Sequence, residues 1–237
     1  MTFSLAGRCA RTGMTGAVVT TSAPAVGARC AHAAAGIGAV LTQNVTDPRL
    51  GPLGLALMRG GSDAEHTLDA LVASSPHHIW RQLAVIDRHG NTAAFSGRNV
   101  KPARNEAHGR DCVAIANIVR SADIPAQMVR AFEQDPSAHL ADRLLAALRA
   151  GELGGGEFKP LVSAALLIAW REDFAYIDLR VDSDPDPIAA LFRLWAEYQP
   201  MTELYVTRVI DPDAISTPPD PPTAGATRST SMQGRKQ

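Results

Sequence analysis

Thr2 is the residue of this chain whose type and position suggest a whole reaction. Once Met1 is removed, a leading threonine unites two roles. Its hydroxyl attacks a carbonyl, and its own α-amino group, with an ordinary pKa of about 7.7 to 8.0, accepts the proton. Threonine is small enough to permit removal of the methionine, although many ordinary proteins also carry Thr at position two. Amide cleavage by this route further needs donors for the developing oxyanion and groups that orient amine and substrate.

Candidates for those roles cluster at strand ends. Thr21 and Ser22 close one β-branched run, and Thr42, Gln43 and Asn44 form a polar cluster directly after an apolar one. Strand-end turn chemistry is the more ordinary account of these residues, because Thr, Asn and Ser favour such places. Asn117 and Ser163 sit inside apolar runs, where a buried polar group needs a partner, either in the core or in a site.

Other constellations fail on spacing. Asp182, Asp184 and Asp186 imitate the opening of a calcium loop, but Pro187 replaces the required glycine and Arg193 the bidentate Glu. His77 and His78 have no further ligand at metal spacing, so no metal is expected. Gly154, Gly155 and Gly156 lack the Lys and Ser of a phosphate loop. Arg180, flanked by Asp178 and Asp182, suits a structural ion pair better than a grip on an acidic substrate. Cys9, Cys30 and Cys112 are odd in number and widely spaced, and are expected to be reduced and mostly buried.

With 237 residues, 46% apolar and 20% charged, the chain can bury one large core. A formal charge of -1 leaves no cationic excess for nucleic acid or an anionic membrane. No run of about 18 apolar residues exists, which predicts a cytoplasmic, non-membrane protein, with the small residues 25–28 keeping a signal-peptide reading open.

The elements that must position Thr2 begin at once. Residues 2–8 alternate Phe3 and Leu5 with small or polar side chains, the period of a strand, and 16–22 reads as a second strand antiparallel to it. A turn centred near Thr12 places Thr2 opposite Ser22. A short strand over 26–30 and a buried strand over 36–43 follow. Helices are expected over 48–59 and from the capping box Ser62-Asp63-Ala64-Glu65. A hairpin spans 80–87 and 92–96 around Gly90-Asn91, and 112–119 reads as a further strand or a buried turn. Helices over 125–132 and 138–150, strands over 161–170 and 174–181, and a helix opened by Asp186-Pro187 complete the pattern. Separate groups of strands and helices argue for α+β rather than alternating βαβ units. From Asp211 the chain turns to Pro, Ser, Thr and Gly and predicts a disordered tail over 211–237, leaving one domain over 1–210.

Several blocks together resemble a bacterial family, that of domain of unknown function 1028. They are Met1-Thr2-Phe3-Ser4, Pro24 to Cys30 (PAVGARC), Gly36 to Val40 (GIGAV), Thr42-Gln43-Asn44 with Asp47-Pro48, Arg81-Gln82, Ser163 to Leu167 (SAALL), and Asp178 to Asp182 (DLRVD) with Asp186-Pro187. The likeness runs from Thr2 to about Asp211 and lies in the ordered set. The resemblance implies an αββα four-layer sandwich of the N-terminal-nucleophile hydrolase type, with Thr2 as nucleophile. Its reaction would be amide cleavage in a small molecule, without a cofactor. Two rivals remain: a non-catalytic binding or scaffolding protein on the same fold, and a cysteine enzyme using Cys30 or Cys112, for which no His partner is evident. A homodimer is the default assembly.

Overall fold

The structure is a computed structural model and describes residues 1–215. Its contacts divide the chain into a compact unit, Met1–Thr202, and a segment from Glu203 onward. The compact unit is α+β, with two antiparallel sheets and five α-helices.

Strands β1 (Thr2–Arg8) and β2 (Thr15–Thr21) form a hairpin at the centre of a six-stranded sheet. β1 is flanked on its other side by β8 (Cys112–Asn117), and β7 (Arg104–Gly109) is the edge beyond it. On the far side of β2 lie β9 (Ser163–Ala169) and β10 (Ala175–Val181). The second sheet runs β3 (Ala31–Ala34), β4 (Gly38–Asn44), β5 (Arg81–Asp87), β6 (Thr92–Ser96).

β1 and β2 are buried along nearly their whole length because both sheet faces are covered. Odd residues of β1 point at helices: a Cβ on Gly7 would meet the Phe132 ring at 2.6 Å, and one on Gly151 would meet Phe3 at 2.8 Å. Those helices are α3 (Ile124–Glu133) and α4 (Leu140–Leu153), with α5 (Pro187–Tyr198) packing on β9 and β10. Even residues of β1 point at the second sheet, where Ala6, Ala17, Ile115 and Ala165 join Leu41, Ala84 and Ile86 in one apolar cluster. The outer face of the second sheet is covered by α1 (Leu50–Arg59) and α2 (Ala64–Ser74), through Val40, Leu71, Leu83 and Val85. Asp63 caps α2, accepting the His66 amide at 2.9 Å, one residue later than the expected capping box, in which Ser62 is the cap.

Three expectations shift. The β1–β2 turn closes with the Cys9 amide donating to Met14 O, so Phe3 pairs with Thr20 and Thr2 stands level with Thr21, not Ser22. Residues 26–30 form no strand; Val26–Ala28 is a 3-10 turn, entered through Ala25 at φ 54°, and it seats Gly27 against Ala165 and Arg180. Strand β7 has no counterpart in the sequence pattern because it is a half-exposed, polar edge with no apolar alternation.

The second segment carries α6 (Thr202–Ile210), within which Thr207 Oγ1 donates to Glu203 O at 2.9 Å. A 3-10 turn follows at Pro212–Ala214, and the rest of the expected tail, 216–237, lies outside the described residues.

Candidate active site

Strand alternation makes the layer between the sheets apolar at one end and polar at the other. Continuing the faces of Ala6, Val19 and Ile115 outward leads to Thr2 and Ser4 on β1, Thr21 on β2 and Asn117 on β8. The facing positions of the second sheet, beyond Leu41 and Ala84, are Gln43 and Gln82. All six are buried.

These side chains satisfy one another across the gap. Ser4 Oγ donates to Gln43 Oε1 at 2.8 Å, and Gln43 Nε2 donates to Gln82 Oε1 at 2.8 Å. Asn117 Nδ2 donates to the same Gln82 oxygen at 3.0 Å, while Gln82 Nε2 donates to Ser96 Oγ and to Ala116 O, each at 3.0 Å. A buried amide network of this kind rigidifies the end of a core when its members are paired, and here Asn117 Oδ1 alone has no partner.

Thr2 lies directly beside that network, opposite Asn117 on β8. Its Oγ1 is 3.3 Å from Thr21 Oγ1, and both hydroxyls donate to Met1 O. Beyond them sits Glu157, which is buried, accepts the Ser22 amide on Oε2 at 2.9 Å and leaves Oε1 unpartnered. Burial pushes the Glu157 carboxyl above its ordinary 4.5, with Ser22 and the α-amino group of Met1 pulling it back. Burial also lowers that amino group from 8.0, against the opposite pull of Glu157 and Cys30. A buried acid facing an amine is the kind of pairing that tunes both toward neutral pH.

The residues expected from the sequence fall into two groups. Thr21, Gln43 and Asn117 join the polar end around Thr2, and Ser22 contributes its backbone amide to Glu157. Thr42 and Asn44, one residue either side of Gln43, have the opposite strand face: Thr42 donates to Asp47 O at 3.3 Å and Asn44 to Trp80 O at 2.7 Å. Ser163 is level with Thr21, but its hydroxyl donates to Ala23 O at 2.6 Å and accepts from the Val26 amide at 3.1 Å, fixing the loop after β2. Sequence reasoning gave no role to Ser4, Ser96 or Glu157. Of the missed set, Ser4 and Gln82 had a signal, in the Met1-Thr2-Phe3-Ser4 and Arg81-Gln82 blocks.

The quoted blocks meet in space. Arg81 pairs with Asn44 in the β4–β5 ladder, donates to Val45 O and approaches Asp47 Oδ2 at 3.7 Å, so the loop after β4 is anchored to the strand that carries Gln82. Arg180 forms its ion pair with Asp182 at 3.0 Å and covers Gly27. The three cysteines are free and buried; burial raises Cys30 and pushes Cys112 up to about 12, so neither thiol is activated. Among the described residues no group of three or more His, Cys, Asp or Glu could hold a metal ion, and no helix is long and apolar enough to cross a membrane.

The fold and its polar end define an α+β protein of two antiparallel sheets with a hydrogen-bonded amide network between them. The chain belongs to a family of unknown function, DUF1028, whose model matches residues 2–191. Among solved structures it is similar to protein SPO2555 from Silicibacter pomeroyi, assigned to the same family, at 28% identity and a TM-score of 0.78, over 83% of this chain and 85% of that one. A fainter likeness, at 10% identity and a TM-score of 0.37 over 86% of this chain and 97% of that one, is to Anbu, the ancestral beta-subunit, from Yersinia bercovieri. No curated protein matches.

Proposed function

We propose that the chain is an αββα four-layer sandwich of the N-terminal-nucleophile hydrolase type and cleaves an amide bond in a small molecule, with Thr2 as nucleophile once the Met1–Thr2 bond is cut. The observation that carries this reading is the Thr2 hydroxyl, buried at the polar end of the layer, 3.3 Å from Thr21 Oγ1 and next to an acid with a free oxygen.

The chemistry follows from those groups. The freed α-amine takes the Thr2 Oγ1 proton, Oγ1 bonds to the substrate carbonyl carbon, and the charge that develops on the carbonyl oxygen needs donors. Thr21 Oγ1 is placed to supply one. The C–N bond then breaks, the proton passes to the leaving nitrogen, and an ester on Thr2 remains until water hydrolyses it and restores the hydroxyl. Glu157, whose charge acts on the Met1 α-amino group before the cut, holds the freed amine in the same way. The reaction uses no cofactor, and a cytoplasmic homodimer is the setting we attach to it.

A second reading, a binding or scaffolding protein on the same fold, is favoured by the Met1 carbonyl, which takes the hydrogen bonds of both hydroxyls. Intact mass and N-terminal sequencing of untagged protein separate the two. A chain that begins at Thr2 and turns over members of an amide library, with Thr2→Ala inactive, supports hydrolysis. Retained Met1 overturns it and leaves the binding role.

A further inference from the structure

At the opposite end of β1 from Thr2, a cavity of about 470 Å³ is lined by Ala10, Arg11, Arg110, Asp111, Glu133, Pro136 and Arg143. The strand between the two places is seven residues, about 20 Å at the usual rise, so this cavity is separate from the site above.

Arg143 is the unusual member. It is only 7% exposed, one turn into α4, and its guanidinium lies 3.9 Å over the Phe132 ring. Its Nε donates to Phe132 O at 3.0 Å, and its two terminal nitrogens have no described hydrogen bond. A buried cation normally has a carboxylate, since desolvating it alone is costly. Among the described residues none pairs with Arg143.

The neighbouring carboxylates are already engaged. Asp111 accepts Arg8 at 2.7 Å, Glu133 accepts the Arg110 amide at 2.6 Å, and Asp135 binds Ser137 through its backbone amide and its hydroxyl. Among the described residues Arg11 bonds the Ser137 carbonyl, at 2.9 Å, and Arg110 is exposed. Three arginines thus line a space walled by Ala10 and Pro136, together with Asp111, which is paired with Arg8, and Glu133, and among the described residues no carboxylate bonds the terminal nitrogens of Arg143. A planar fork fixed by a ring beneath it suits the two coplanar oxygens of a carboxylate or phosphate.

We infer that this cavity binds a small metabolite bearing a carboxylate or phosphate, its oxyanion against Arg143 and its remaining negative charge toward Arg11 and Arg110. The test is calorimetric titration of the full chain at low salt with inorganic phosphate and, separately, with citrate. Either probe should bind with a Kd below about 10 mM, and the tighter one identifies the headgroup. Arg143→Lys keeps the charge, loses the fork and should weaken binding about tenfold. The surface pair Arg11→Ala with Arg110→Ala should weaken it as well, and decides the matter if the buried variant fails to fold by circular dichroism. Absence of binding by both probes, or affinity unchanged in the folded variants, overturns the inference.

Discussion

Thr2 Oγ1 and Thr21 Oγ1 face each other at 3.3 Å across the β1–β2 ladder, and both reach the carbonyl of Met1. On the proposed reaction that carbonyl marks where a substrate oxygen would lie once Met1 has gone, with Thr21 as one of its donors. Thr21→Val preserves shape and removes only the hydroxyl. Acylation of Thr2 by an amide-mimicking electrophile, followed by intact mass, is expected to slow by about 100-fold in that variant, the usual cost of one oxyanion donor. Unchanged acylation would remove Thr21 from the reaction.

Glu157 sets a pH dependence whose sign can be worked out. Its folded pKa is raised by burial above 4.5, so the folded state holds the proton more tightly than the unfolded chain does. Its contribution to stability is therefore full below pH 4.5 and is lost as the pH rises through the folded value. Glu157→Gln, which stays neutral, should melt above the wild type at pH 8 and converge with it near pH 4. Thermal melts across that range check the sign, and a lower melting point for the variant at pH 8 would contradict it.

The amide network has a measurable stability. Gln82→Leu keeps the volume close but strips Asn117 Nδ2 of its acceptor and leaves Gln43 Nε2 with only Ile115 O, at 3.4 Å. Two weakened buried donors should cost about 2–4 kcal/mol, read as a lower denaturant midpoint with an unaltered slope.

Ser163 should behave as a structural residue. Ser163→Ala orphans the Val26 amide and the Ala23 carbonyl and is expected to lose about 1–3 kcal/mol in chemical denaturation. Thr2 acylation in the folded variant should match the wild type; a selective loss of acylation would return Ser163 to the site.

Cys112 provides a check on the core. With burial pushing it up to about 12, native protein should leave it unalkylated by iodoacetamide at pH 8, and peptide mapping should find it modified only after unfolding.

Particular residues show what sequence could and could not say. β1 has the bounds its alternation predicts, because Phe3 and Leu5 must reach the helices while Ser4 and Ala6 turn inward. The run from Gly36 to Gln43 is apolar on both faces, so it marks a strand without revealing which of Thr42, Gln43 and Asn44 points between the sheets. Register was a matter of one residue in the β1–β2 turn, and that residue decided between Thr21 and Ser22. Glu157 follows three glycines and meets Val119 in a lone bridge, a tertiary placement with no local pattern to announce it.

The bonded set of Ser4, Gln43, Gln82, Ser96 and Asn117 has a consequence for how any reaction at Thr2 would be measured. Hydroxyls and carboxamides neither gain nor lose protons over the range in which proteins stay folded. The bed beneath Thr2 therefore keeps its charge state, and its geometry, from acid to base. A pH profile of chemistry at that residue would report on the amine and on Glu157, with no contribution from the scaffold that holds them.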